Sequence, residues 1–253
     1  MTKQLTSAAL LCLTILSCSC ARKATSPAVP KPVAAGAALV EVSGGKQTGT
    51  AGATLSQPVV VQVNDEQGNA VTGALVSFRG PRGVTFDPVT GLTDSSGQFT
   101  TNVSLGGMAG RYQLTASTPG KAQKTVELKF DEIALGYEEG LGYRLNEQYC
   151  SRCHNPESTP ERVSNYDNLE VKPHEFTEGD TLNKTSDADL LAIISHGGPA
   201  LNKSALMPPY AYTLSKSDIQ ALIAYIRAVS DPPFKTPGLV YATNYLRDTP
   251  RTQ

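Results

Sequence analysis

The sequence predicts a multidomain chain, an all-β sandwich followed by an all-α domain, behind an amino-terminal segment that belongs to neither. Three observations carry this. Short β-branched runs punctuated by Gly, Asn, Asp and Pro fill residues 39–130. Helix-period patterns with long loops replace them from Tyr137 onward. Of five cysteines, only Cys150 and Cys153 fall in the folded body, so no disulfide scaffold is available and each domain must be held by its own core.

Residues 1–17 carry Lys3 as their single charge, then an apolar run of about a dozen residues ending at Leu16, the layout of a secretory signal sequence. The run is shorter than the roughly 20 residues that a permanent bilayer span needs. Cys12 lies inside it, and Ile15-Leu16-Ser17-Cys18 follows. That tetrad resembles the lipobox of bacterial lipoproteins, which makes Cys18 the expected lipidation site. Cys20 is the competitor, but it places Ser17 rather than an aliphatic residue three positions upstream. Two or three acyl chains give firm attachment where one is marginal, at about 0.8 kcal/mol per buried methylene. Ordinary cleavage near Ala21, discarding Cys18, is the alternative. Residues 18–37 contain Pro27, Pro30 and Pro32 among Ala, Lys and Ser, too few large apolar side chains to bury, and read as a tether.

In the β part, residues 38–131, Val59-Val60-Val61-Gln62-Val63 runs into the turn signal Asp65-Glu66-Gln67-Gly68-Asn69. Leu75-Val76-Ser77-Phe78, then 93–99, Val103-Ser104-Leu105 and Arg111-Tyr112-Gln113-Leu114-Thr115-Ala116 complete the series without a helix-period stretch. Three phrases, 61–71, Thr93-Asp94-Ser95-Ser96-Gly97-Gln98 and 109–116, resemble the bacterial Ig-like domains of invasin and intimin adhesins. The resemblance implies a fold more than an activity. The segment holds no His or Cys. Asp65, Asp87 and Asp94 could be calcium ligands, but Asp beside Gly or Asn is commonly a turn former, and an oxygen cage needs six or more converging ligands.

The segment Cys150-Ser151-Arg152-Cys153-His154 has the spacing of a c-type haem attachment site. On one helical turn two thiols can reach the two vinyl groups of a porphyrin, and His154 can ligate the iron. The other readings are a redox-active Cys pair, half a zinc site or a small disulfide. A zinc site needs further Cys or His nearby, and a thioredoxin-like pair needs a βαβ context that the sequence does not show. Residues 137–149 read as a first helix running into the motif. A second helix is expected over 188–195, capped by Lys184-Thr185-Ser186-Asp187 and stopped by Gly197-Gly198-Pro199. A third starts at Ser215-Lys216-Ser217-Asp218, with Ile219, Leu222, Ile223, Ile226 and Val229 on one face.

Residues 137–230 thus resemble a class I monohaem cytochrome c. The pattern Gly142-x-x-Leu145-x-x-x-x-Cys150-x-x-Cys153-His154 and the aromatic Tyr225 match the family's crossing of first and last helices. Asn146 and Asn155 depart from it, where an aromatic and a Gly are common. The resemblance implies Met207, in Leu206-Met207-Pro208-Pro209-Tyr210, as the sixth iron ligand opposite His154. Two prolines stiffen that loop, and Met/His ligation raises the reduction potential relative to bis-His. Met207 as core filler is the plainer alternative; His174 and His196 are rival ligands.

Between 137 and 230 there are thirteen Asp or Glu against eight Lys or Arg, so a redox partner with a basic rim is expected and a nucleic-acid surface is not. The tail, 231–253, has three prolines before Gly238 and is not assigned. The expected protein is a non-enzymatic electron carrier with one covalent haem c, exported to the periplasm or cell envelope and tethered by lipid. The missing Asp after Cys18 leans toward the outer membrane. Two other readings differ in their observables. A haem enzyme or sensor, or a cytochrome subunit of a dehydrogenase complex, would bind carbon monoxide rapidly when reduced. An adhesion or docking protein would keep partners through the β part alone.

Overall fold

The computed structural model of the protein describes residues 34–156 and 164–235. The leader, Cys18 and most of the tether and tail lie outside the described residues.

Nine strands build the sandwich: β1 Ala38–Ser43, β2 Thr48–Thr50, β3 Val59–Asn64, β4 Leu75–Arg79, β5 Thr85–Asp87, β6 Thr90–Leu92, β7 Gln98–Ser104, β8 Gly110–Pro119 and β9 Thr125–Leu135. They form a four-stranded sheet, β1-β3-β7-β5, and a five-stranded one, β2-β9-β8-β4-β6. Among these nine strands, β2 and β9 are the one parallel pair. The alternation read at β3 is the alternation observed: Val59, Val61 and Val63 are fully buried, while their neighbours are half-exposed. Phe78 stacks on Phe86 at 5.5 Å and on Phe99 at 6.1 Å, and Phe130 meets it edge-on, which knits the two inner faces together.

The turns follow the aspartates. Asp65 Oδ1 accepts the N–H groups of Gln67 and Asn69, and Asp94 Oδ1 accepts those of Ser96 and Gln98. Both carboxylates are therefore spent on turns. The β reading of 39–130 is interrupted by a single 3-10 turn at Lys121–Gln123.

The last strand does not stop where the β texture fades. Its ladder with β8 runs from Pro119↔Thr125 to Gly110↔Ala134, and one residue, Gly136, joins its end at Leu135 to the first helix, α1 Tyr137–Leu145. Phe130 and Ala134 belong to the sandwich core, whereas Ile133 and Leu135 form a second small core with Val229, Phe176, Tyr225 and Ala228 of the helical part. One strand thus serves two cores, as period-2 side-chain alternation allows.

Beyond α1 come a π turn, Asn146–Cys150, and α2 Ser151–His154, then α3 Gly179–Leu182, α4 Asp187–His196 and α5 Lys216–Val229, joined by long loops. The expected first helix runs on into the motif, but from Asn146 it continues as a π turn and not an α-helix. The π turn inserts there one residue before the motif, and such turns often mark functional positions. Ser186 accepts Asp189 N–H to start α4. Ser215 and Asp218 form a full capping box at α5. The apolar stripe of α5 packs on Leu182, Leu190, Ile194 and Leu214.

Candidate functional site

The site begins at a helix crossing. A Cβ on Gly142 would overlap the carbonyl oxygen of Ala221 and lie 2.8 Å from Tyr225 Cβ, so only glycine lets α1 and α5 meet this closely. That crossing fixes the direction in which the chain enters the π turn and α2.

Cys150 and Cys153 are both free thiols, half-buried on one turn. Burial, reinforced by the neighbouring Cys153, pushes the Cys150 thiol up to about 12. The Cys150 thiol is thus held protonated, the reverse of the lowered pKa expected of a redox-active cysteine.

His154 is also half-buried. Its Nδ1 lies 2.7 Å from the carbonyl oxygen of His174, and since a carbonyl can only accept, Nδ1 carries the hydrogen and Nε2 is left as the basic nitrogen. Burial lowers the His154 pKa, favouring the neutral, ligand-competent ring. Phe176 backs the imidazole at 4.8 Å between centroids.

Met207 packs against the main helical core, as do Tyr149, Cys150 and Tyr210. Its loop lies along α4: Gly198 N–H donates to Met207 O (3.1 Å), Tyr210 N–H to Ile194 O (3.0 Å) and Ala211 N–H to Ser195 O (3.1 Å). Gly197, at φ +81°, permits this, because a Cβ there would sit 2.7 Å from Met207 O. The Tyr210 hydroxyl donates to Tyr149 O at 2.9 Å, tying the methionine loop to the residue before the first cysteine. Burial raises the Tyr210 pKa, with Cys150 and Cys153 adding to it.

The structure therefore sets Cys150, Cys153 and His154 on neighbouring turns and joins them to the Met207 loop through Tyr210. It places the two rival histidines otherwise. His174 holds Glu178 through its ring, Nδ1 to Oε2 at 2.8 Å, and reaches His154 only through its backbone. His196 ends α4 and lines a separate groove with Ala188, Leu191, Ser195 and Lys216. Sequence reasoning missed the His174 carbonyl, since a backbone acceptor has no residue-type signature. It also missed the Tyr210 tie, although the tyrosine directly after two prolines was a visible signal.

Two family models match the chain: bacterial Ig-like domain (group 1) over residues 39–131 and cytochrome C oxidase, cbb3-type, subunit III, over 140–226. No curated protein matches it. Among solved structures it is similar to the D00-D0 domain of intimin, with 18% identity and a TM-score of 0.32 over 42% of this chain and 50% of that one. It is also similar to the KustC0563 c-type cytochrome, with 25% identity and a TM-score of 0.27 over 35% of this chain and 96% of that one. The Yersinia pseudotuberculosis adhesin InvE matches at 15% identity and a TM-score of 0.31, over 40% and 33% respectively. The chain thus spans half of the intimin fragment and a third of the adhesin.

A cytochrome c domain implies a c-type haem, and the donor set fits one: two free thiols three residues apart, an imidazole whose far nitrogen is anchored, and a thioether on a stiff loop. The chain carries a bacterial Ig-like domain followed by a cytochrome c domain of the cbb3-type subunit III kind.

Proposed function

We propose that the protein is an exported electron carrier with a single covalently bound haem c, ligated by His154 and Met207 and tethered to a membrane through lipid on Cys18. The observation that carries the reading is the convergence of Cys150, Cys153 and His154 on one turn with the Met207 loop pinned to it by the Tyr210 hydroxyl. Cytochrome c domains usually transfer electrons rather than turn over substrates, which supports the carrier reading.

The bound haem supplies reversible one-electron exchange. The residues of this chain do the rest. Cys150 and Cys153 would hold the porphyrin through thioether links, so that the cofactor would not dissociate. The His174 carbonyl locks the His154 tautomer and aims Nε2. Met207 would supply its thioether as a second protein ligand to the iron, a ligand pair suited to electron exchange. Leu190, Ile194 and Ile223 belong to the apolar core against which Cys150 and Met207 pack. The partners are redox proteins, with a basic docking rim complementary to the acidic haem domain.

Substitution of Met207 by Ala tests the ligand set. It is expected to change the absorption of both oxidation states and to lower the reduction potential; spectra and potential identical to wild type would remove Met207 from the iron. Mass spectrometry of the matured protein tests Cys18, which should appear as the acylated amino terminus.

A further inference from the structure

We propose that the Ig-like domain is the back wall of the proximal histidine: through Ile133, Leu135 and Arg111 it positions Phe176 and the 174–179 loop, and so sets how tightly His154 is held. The inference rests on His154 being the iron ligand.

Two routes, one apolar and one polar, connect the sandwich to that ring. On the apolar route, Ile133 and Leu135, 6% and 3% exposed, lie in one core with Phe176, Tyr225 and Val229. Phe176 stands between this core and the ligand, 6.4 Å from the Tyr225 ring and 4.8 Å from the His154 ring. Close-packed side chains transmit displacement instead of absorbing it.

On the polar route, Arg111 of β8 donates from Nη2 to the carbonyls of Ser230 (2.8 Å) and Ala228 (3.3 Å). These are unpaired acceptors at the carboxyl end of α5, where a cation is also favoured by the helix dipole. The next residue, Asp231, is sewn to the proximal loop: its N–H donates to Thr177 O (2.8 Å) and its carbonyl accepts Gly179 N–H (3.1 Å). Asn183 Nδ2 donates to Pro232 O at 2.8 Å. Lys46, from the β1–β2 loop, bridges to the Asp231 carboxylate at 3.3 Å. The same loop presents the His174 carbonyl to His154 Nδ1. With Gly136 as the whole joint between the domains, the seam has no slack to accommodate a shift.

The consequence has a sign. A strong acceptor on Nδ1–H raises the basicity of a ligating imidazole, which favours the more highly charged oxidised iron. Loosening the seam lengthens that hydrogen bond and raises the reduction potential.

The test uses the full-length haem-loaded protein and five variants: Arg111→Gln, Arg111→Lys, Ile133→Val, Phe176→Leu and, as control, Arg79→Gln. Arg79 pairs with Glu127 at 2.8 Å, toward the other end of β9. Three readouts are taken: the potential, the spread of the haem-methyl proton resonances in the oxidised state (which reports the imidazole plane), and amide exchange over 174–179. The four seam variants are expected to raise the potential, alter the methyl spread and speed exchange in that loop, with Arg79→Gln unchanged. Lysine keeps the charge of Arg111 but loses its two-carbonyl grip, so Arg111→Lys should behave like Arg111→Gln. An Arg111→Lys protein identical to wild type would reduce the effect to plain electrostatics and overturn the proposal. Loaded seam variants with wild-type methyl spread and potential would also overturn it. Wild-type protein without covalent haem would instead sink the functional reading beneath it. Ile133→Val removes one methylene and keeps the core filled, which guards against a result that merely reports unfolding.

Discussion

Glu132 is fully buried, with Oε2 accepting the Gln47 N–H and Oε1 lacking a partner. Burial, with smaller contributions from Glu41 and Asp131, raises its pKa from 4.5 to about 8. The folded state therefore keeps the proton longer than the unfolded chain does. The stabilisation is fully present below about 4.5 and is lost as the pH climbs through about 8, on the order of a few kcal/mol in all. Glu132→Gln keeps an acceptor for Gln47 and cannot ionise, so its melting temperature should fall less than that of wild type between pH 5 and pH 9; parallel declines would refute the assignment. Nothing in the sequence pointed here, because an acidic residue in an alternating strand reads as solvent-facing until the neighbouring sheet is known to cover it. The candidate haem-binding residues are legible for the opposite reason: thiol, imidazole and thioether are named by side-chain chemistry, and within Cys150 to His154 spacing along the chain is spacing along a helical turn, whereas Met207 is legible only from its own loop.

The helix termini and the helix crossing were as readable. Ser215 and Asp218 bond reciprocally at the start of α5, and Ser215→Ala should cost about 1 kcal/mol of stability in denaturant titration. Gly142→Ala should cost more, about 1–3 kcal/mol, since the new methyl meets the Ala221 backbone and the helices must part. A variant as stable as wild type would show that the crossing can yield. The π turn at Asn146–Cys150 was not readable, because its residues are ordinary helix formers and the extra residue is dictated by where the motif must face. The extent of β9 was half-visible. Ile133-Ala134-Leu135 is an unbroken apolar run, the pattern of a strand covered on both faces, yet what covers the second face lies about forty to a hundred residues further along the chain.

For the molecule as a whole, the shared strand ties two folds of different class into one unfolding event. Ile133, Leu135 and Val229 are buried only while both domains are in place. Thermal melts followed by far-ultraviolet circular dichroism and by haem absorbance should therefore coincide, and Ile133→Ala should lower both midpoints together. Two separated transitions would mean that the seam contributes little. The acidic excess of the helical part adds a solution property: association with a basic partner should slow as ionic strength rises, measured by stopped-flow electron exchange.

The β8–β9 ladder has one more consequence. Gly36 N–H bonds to Pro119 O at one end of the ladder, and Gly136 leaves from the other. The eleven residues of β9 separate those poles by about 33 Å. The helical domain therefore departs from the pole of the ladder opposite Gly36, with Gly136 as the one residue between the strand and the first helix, so the long strand fixes where that domain begins.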